Sequence, residues 1–132
     1  MQHYYSKLLV WQRSHKLVLA IYQCSRSFPG EERYGLTSQL RRAALSVPTN
    51  IAEGSKRSAP KDYAHFLNIA EGSLSETEYL LVVCRDLGYL NADLARTYLA
   101  EATELLKMML HALRKTVRND SAPRPNNKTA CL

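Results

Sequence analysis

The chain is poor in the residues that punctuate or cross-link a polypeptide. Among 132 residues there are five glycines, five prolines, three cysteines and one tryptophan. Cys24, Cys84 and Cys131 are odd in number and show no C-x-x-C spacing, which argues against a disulfide framework and points to reduced thiols in a cytosolic compartment. No apolar run reaches the roughly 18 residues that a bilayer-crossing helix needs, and the start lacks the basic-then-apolar pattern of a secretory leader. A cytoplasmic protein without membrane contact is therefore expected. No stretch alternates apolar and polar residues as a half-buried strand does, so the expected class is all-α. At this length, one domain can bury a core without metal or disulfides.

Catalytic patterns are absent too. There is no glycine-rich phosphate loop ending in Lys-Ser or Lys-Thr, and no Gly-x-Gly-x-x-Gly. A dinuclear metal site in a helical bundle needs repeated Glu-x-x-His pairs. The nearest match is a single Asp62-x-x-His65, and His3, His15 and His111 have no carboxylate three residues earlier. His15 falls on an apolar face and reads as a core or interface histidine. Cys24 and Cys84 lie on apolar stripes, where nothing lowers a thiol pKa. No catalytic residue, metal ligand or cofactor emerges, and an enzyme is not expected.

What is present is helical periodicity. Four segments, at about 7–27, 34–54, 60–88 and 91–118, carry apolar residues three and four apart, and residues 120–132 read as a flexible polar tail. Trp11, His15, Val18 and Tyr22 share one face of the first, with Leu17, Ile21 and Cys24 beside them. Leu36, Leu40, Ala43, Val47 and Ile51 line the second, which Pro48 should kink by removing the donor for the carbonyl of Ala44. Tyr63, Phe66, Leu67, Ala70, Leu74, Thr77, Leu81 and Cys84 line the third. Leu94, Tyr98, Leu105, Met109 and Ala112 line the fourth. Gly54 and Gly88 are stops, Pro60 opens the third segment, and Asn91 is the N-cap of the fourth. The predicted architecture is an antiparallel up-and-down four-helix bundle with short loops.

Some residues exceed what that bundle requires. Gln39, Asn50 and Glu53 flank the core stripe of the second helix within reach of Ser73 or Glu76, and a paired polar network there would set helix register. Leu99, Leu106 and Leu110 form a second apolar stripe on the fourth helix, while Leu45, Tyr79 and Val83 point away from their own cores. These six positions predict burial between subunits, although a bundle helix can also simply bury a wide face.

The net charge is +6, and only residues 58–90 are acidic on balance. A solubilising surface explains that total as well as a polyanion site does. Candidate phosphate contacts are Arg13 and Lys16, Arg41 and Arg42, Lys56 and Arg57, and a last cluster of Arg114, Lys115 and Arg118. The competing assignment is ion pairing between subunits with Glu71, Glu78 or Glu101.

Two sequence features point further. The hexapeptide Asn-Ile-Ala-Glu-Gly-Ser occurs at Asn50–Ser55 and again at Asn68–Ser73, as a small-residue motif of closely approaching helices. Distinctive segments also follow one another in order from Val10 to Leu90. They are Val10-Trp11-Gln12, Phe28-Pro29, Glu32-Arg33-Tyr34-Gly35-Leu36-Thr37-Ser38-Gln39, Arg42-Ala43-Ala44, Ser46-Val47-Pro48, Asn50-Ile51-Ala52-Glu53-Gly54, Gly72-Ser73-Leu74 with Glu76, and Leu87-Gly88-Tyr89-Leu90. Together they resemble the family of four-helix-bundle proteins encoded within intervening sequences of bacterial 23S ribosomal RNA genes. Where that family usually has a basic residue before Gly72, this chain has Glu71. The resemblance implies a homo-oligomer, a pentameric ring, with no known catalytic activity. It also implies kinship with the accessory variability proteins of diversity-generating retroelements, basic pentamers that associate with nucleic acid and a reverse transcriptase. The expected function is thus an oligomeric basic scaffold that binds RNA or another nucleic acid electrostatically. The alternative is an adaptor that holds a protein partner.

Overall fold

The computed structural model describes residues 4–121, and the segment 122–132, which holds most of the expected tail, lies outside them. Four helices form the bundle: α1 (Leu9–Cys24), α2 (Leu36–Ser55), α3 (Pro60–Asp86) and α4 (Ala92–Ser121). Short 3-10 turns at Tyr4–Lys7 and Ser25–Ser27 flank α1, so α1 is shorter than expected, and a third turn at Gly30–Glu32 precedes α2. No strand occurs among the described residues. Each helix packs on its neighbours in chain order, and α4 closes the ring against α1.

Contacts across α1–α2 and across α2–α3 run in opposite chain order. Arg41 near the start of α2 reaches Tyr22 and Ser25 at the end of α1. Ser46 meets Ser73 across α2 and α3, and Gly54, further along α2, meets Tyr63 and Phe66 earlier on α3.

Local chemistry explains the boundaries. The Asn91 side chain accepts the backbone N–H of Leu94 at 2.8 Å and starts α4. At the end of α3, Gly88 adopts a positive φ of 79°, which lets the N–H groups of Tyr89 and Leu90 both turn back to the carbonyl of Cys84. The extended backbone at Phe28 ends the turn after α1, and its buried ring packs on Tyr89 at 5.9 Å to seal that end of the core. α2 continues as α-helix through the buried Pro48. The side chains of Thr49 and Asn50 donate to the carbonyls of Leu45 and Ser46, beside the carbonyl of Ala44 that proline cannot serve.

The core consists of Leu17, Val18 and Ile21 from α1, Leu40, Val47 and Ile51 from α2, Leu67, Leu74 and Leu81 from α3, and Leu105 and Met109 from α4. Several expected positions differ. On α1 the stripe runs through Ser14, Leu17, Val18 and Ile21, leaving Tyr22 and His15 exposed. His15 instead stacks flat on Trp11 at 5.0 Å. Leu94 is also exposed, because the buried register at the start of α4 is Ala95 and Ala102.

The polar network is smaller than expected. Gln39 and Glu76 are exposed, and Glu53 pairs with Arg57 on the surface. Only Asn50 joins the helix seam: it donates to Ser46 Oγ at 3.0 Å, and Ser46 Oγ lies 2.8 Å from Ser73 Oγ. Among the six positions expected between subunits, Leu45, Tyr79 and Leu110 are exposed, Tyr79 by 67 %. Val83 is half-buried, and Leu99 and Leu106 pack partly against their own core.

The repeated hexapeptide occupies two unlike environments. A Cβ on buried Gly54 would sit 2.8 Å from Phe66 Cβ and 3.1 Å from Tyr63 Cδ2, whereas one on exposed Gly72 would meet nothing within 4 Å. We therefore expect Gly54→Ala to destabilise the bundle by about 1–3 kcal/mol through overpacking. Gly72→Ala should stabilise it by up to about 1 kcal/mol through helix propensity. Urea midpoints of the two variants test this, and a Gly54→Ala protein at least as stable as wild type would refute the close approach.

The thiols generate a second expectation. Desolvation pushes the fully buried Cys84 thiol up to about 11, and burial raises Cys24 as well. An unfolded thiol ionises near 8.5, so between these values the unfolded chain binds fewer protons than the folded one. The Cys84 contribution is fully present below about pH 8.5 and is lost as pH rises through about 11, a change of about 3 kcal/mol. Chemical denaturation of Cys84→Ala against wild type from pH 8 to 11 checks the sign: wild type should lose more stability than the variant.

Candidate nucleic-acid interface

A concave surface lies at the bundle end where α1 and α3 begin, α2 ends and the second half of α4 passes. It is a cleft of about 940 Å³. Leu8, Tyr63, Met108 and Ala112 supply apolar lining, while Arg57, Lys107, His111 and Lys115 supply nitrogen donors. Lys107, His111 and Lys115 are spaced by four, so one turn of helix separates each from the next and they form a single stripe on α4. The segments that meet here, 53–62 and 104–118, hold seven lysines and arginines against Glu53, Asp62 and Glu104, a net +4 of the chain's +6. The starts of two helices, α1 and α3, lie together with the end of α2 and the second half of α4, so their dipoles partly offset and the field comes from side chains.

The cations differ in how far they are committed. Arg57 pairs with Glu53 at 2.9 Å and lies over the Phe66 ring at 4.9 Å. Lys107 has a loose pair with Glu104 at 3.4 Å on an exposed helix turn. Lys56, Arg114 and Lys115 are exposed and carry no ion pair among the described residues. Arg118 is exposed one turn beyond Arg114.

The remaining candidates lie elsewhere. Arg13 is not an open phosphate contact: its Nε and Nη2 each donate to the Glu101 carboxylate at 2.8 Å, a two-point clamp between α1 and α4. That hydrogen bonding raises the Arg13 pKa further. Arg41 is folded back, donating to Ser25 Oγ and the carbonyl of Tyr22 with its guanidinium over the Tyr22 ring. Lys16 and Arg42 are exposed on α1 and α2. The nine expected contacts therefore do not form one surface, and five of them, Lys56, Arg57, Arg114, Lys115 and Arg118, belong to the basic end.

Lys107 and His111 were missed in the sequence reading, which weighed charge in runs. The spacing of four into Lys115 was the signal that could have found them.

Among the described residues, no group of three His, Cys, Asp or Glu side chains converges as a metal site would, and no helix is long and apolar enough to cross a membrane.

Comparison with known proteins adds the lineage. No curated protein matches the chain. A solved structure from Bacteroides thetaiotaomicron, described as a protein of unknown function from the S23 ribosomal protein family, superposes with a TM-score of 0.72. It is 22 % identical, and the alignment covers 80 % of this chain and 98 % of that one, a likeness of fold. Residues 6–111 match the model of the 23S rRNA-intervening sequence protein family, which takes in α1, α2, α3 and most of α4, and the chain belongs to that family.

Proposed function

We propose that this protein is a non-enzymatic homo-oligomeric scaffold whose basic bundle end binds nucleic acid, RNA foremost, through phosphate contacts. The observation that carries this reading is the convergence of Lys107, His111, Lys115 and Arg57 on one cleft, with the exposed Lys56 and Arg114 next in the chain to Arg57 and Lys115. Lys56, Arg114 and Lys115 carry no ion pair among the described residues, and uncommitted cations of this kind supply non-specific affinity for phosphate backbones. The family name, which ties its members to an intervening sequence of ribosomal RNA, supports RNA over DNA.

Association rests on the exposed Leu45, Tyr79 and Leu110. Five copies, the number suggested by the family resemblance, would carry +30, and the field of such an assembly would concentrate polyanions despite screening over a Debye length of about 8 Å.

Two measurements test the reading. RNA affinity should fall steeply with salt, and replacing both Lys107 and Lys115 by Ala should reduce the log–log slope by roughly 1.4 for a single strand. Arg13→Ala should leave that slope unchanged and lower stability instead. Absence of RNA and DNA binding near 50 mM salt, where such contacts are strong, would hand the function to a protein-binding adaptor.

In sedimentation equilibrium at micromolar concentration the wild type should exceed monomer mass. Tyr79→Ser combined with Leu110→Ser should shift it toward monomer. A wild-type monomer would overturn the oligomer, and a dimer or tetramer would overturn the ring.

A further inference from the structure

The opposite end of the bundle holds a second, smaller cleft of about 700 Å³, between the end of α1, the turn before α2 and the first turn of α2. Arg26, Arg33 and Arg41 line it, with Ser25, Tyr22 and Thr37. Three guanidinium groups around one concave surface is a concentration of charge that a helical bundle does not need for folding.

Arg41 is held ready there. Its Nε donates to Ser25 Oγ at 2.8 Å, its Nη2 to the carbonyl of Tyr22 at 3.3 Å, and the Tyr22 ring lies 4.8 Å beneath it. Nη1 keeps its hydrogens for another acceptor. Arg26 and Arg33 are exposed and carry no ion pair among the described residues.

Thr37 supplies the independent observation. It is only 7 % exposed, and its hydroxyl has no hydrogen-bond partner, the one such buried side-chain atom among the described residues. Thr49, Thr77, Thr97, Thr103 and Thr116 all donate to the carbonyl four residues earlier on their own helices. Thr37 has no such acceptor, because the residue four before it, Arg33, precedes α2. A buried hydroxyl without a partner costs about 1–3 kcal/mol, so its persistence calls for an acceptor from outside.

Backbone donors add to it. The first α2 backbone bond runs from Gln39 N–H to Gly35, so the N–H groups of Thr37 and Ser38 precede the ladder at the positive end of a 20-residue helix. The carboxylate of Glu32 accepts the N–H of Leu36 at 3.2 Å, so one helix-start donor is taken, and Glu32 does not line the cleft.

We infer that this cleft is an oxyanion site that takes a phosphate group, with Arg26, Arg33 and Arg41 supplying charge and the Thr37 hydroxyl a buried donor. The site is independent of the basic end: it would hold one phosphate at fixed geometry, where the other surface follows a backbone loosely. Two sources share this chemistry, free phosphate or a phosphorylated small molecule, and the terminal phosphate of an RNA.

The test is calorimetric titration of the full chain with sodium phosphate, against sodium chloride at matched ionic strength. Wild type should bind phosphate saturably. Arg33→Ala and Arg26→Ala should each weaken it at least fivefold, and the near-isosteric Thr37→Val at least threefold with helical circular dichroism retained. Because Arg26 and Arg33 sit on the surface, those variants keep the experiment decisive if Thr37→Val fails to fold.

Paired RNA oligonucleotides with a 5′-phosphate or a 5′-hydroxyl separate the sources. A preference for the phosphorylated end that vanishes in the variants assigns the site to RNA termini, and saturable phosphate binding without that preference assigns it to free phosphate. No saturable phosphate binding, or affinity unchanged in all three variants, would overturn the site and leave Thr37 satisfied by water alone. The salt slope attributed to Lys107 and Lys115 would stand or fall separately.

Discussion

The bundle depends on how closely α2 and α3 approach. Gly54 lets the end of α2 lie against Tyr63 and Phe66, and two turns earlier Ser46 and Ser73 touch through their hydroxyls. Small side chains bring the backbones together, and the serine pair gives that contact a register that apolar packing alone leaves loose. Asn50 ties Ser46 to its own helix by donating to both its carbonyl and its hydroxyl. Thr77 does the same on α3 by donating to the carbonyl of Ser73. Once this pair is set, α1 and α4 complete the ring, with the Arg13–Glu101 clamp drawing them together at the seam farthest apart in sequence.

Helix number, class and most of α2 and α3 were legible because periodicity reports burial directly. Leu40, Val47, Ile51, Leu67, Leu74 and Leu81 recur at helical spacing and are all buried. The first helix was read less well. Its apolar residues cover more than one face, and Leu9 and Leu19 are both more than half exposed. A pattern that broad does not select a face. The buried register runs through Ser14, a polar residue that donates to the carbonyl of Trp11 and so satisfies itself within its own helix. Short polar residues that pair locally can enter a core, and periodicity of apolar residues cannot see them.

The basic residues show a different limit. Arg13 and Lys16 look alike in sequence, yet one is clamped by a carboxylate 88 positions away and the other is exposed. Which cations are neutralised depends on pairing across the ring, and no local pattern encodes it. Arg41 is the subtler case: the aromatic face and hydroxyl that hold it come from the end of α1 and leave its charge in place. Such a cation is immobilised without being cancelled.

This distinction bears on function more than the total of +6 does. A chain whose arginines all met carboxylates would have a featureless field, however basic its composition. Here the carboxylates serve α1–α4 closure through Glu101, the start of α2 through Glu32 and local turns through Glu53 and Glu104. Of the cations without an ion pair among the described residues, Lys16 and Arg42 stand apart on α1 and α2, while others gather at the two ends of the bundle. At one end, flexible lysines on a single helical stripe face open solvent, a surface suited to many phosphates held loosely. At the other, guanidiniums converge on a buried hydroxyl at a helix start, a geometry suited to one phosphate held in place. Sequence decides the number of cations. The pairing of helices decides which of them keep their charge, and at which end.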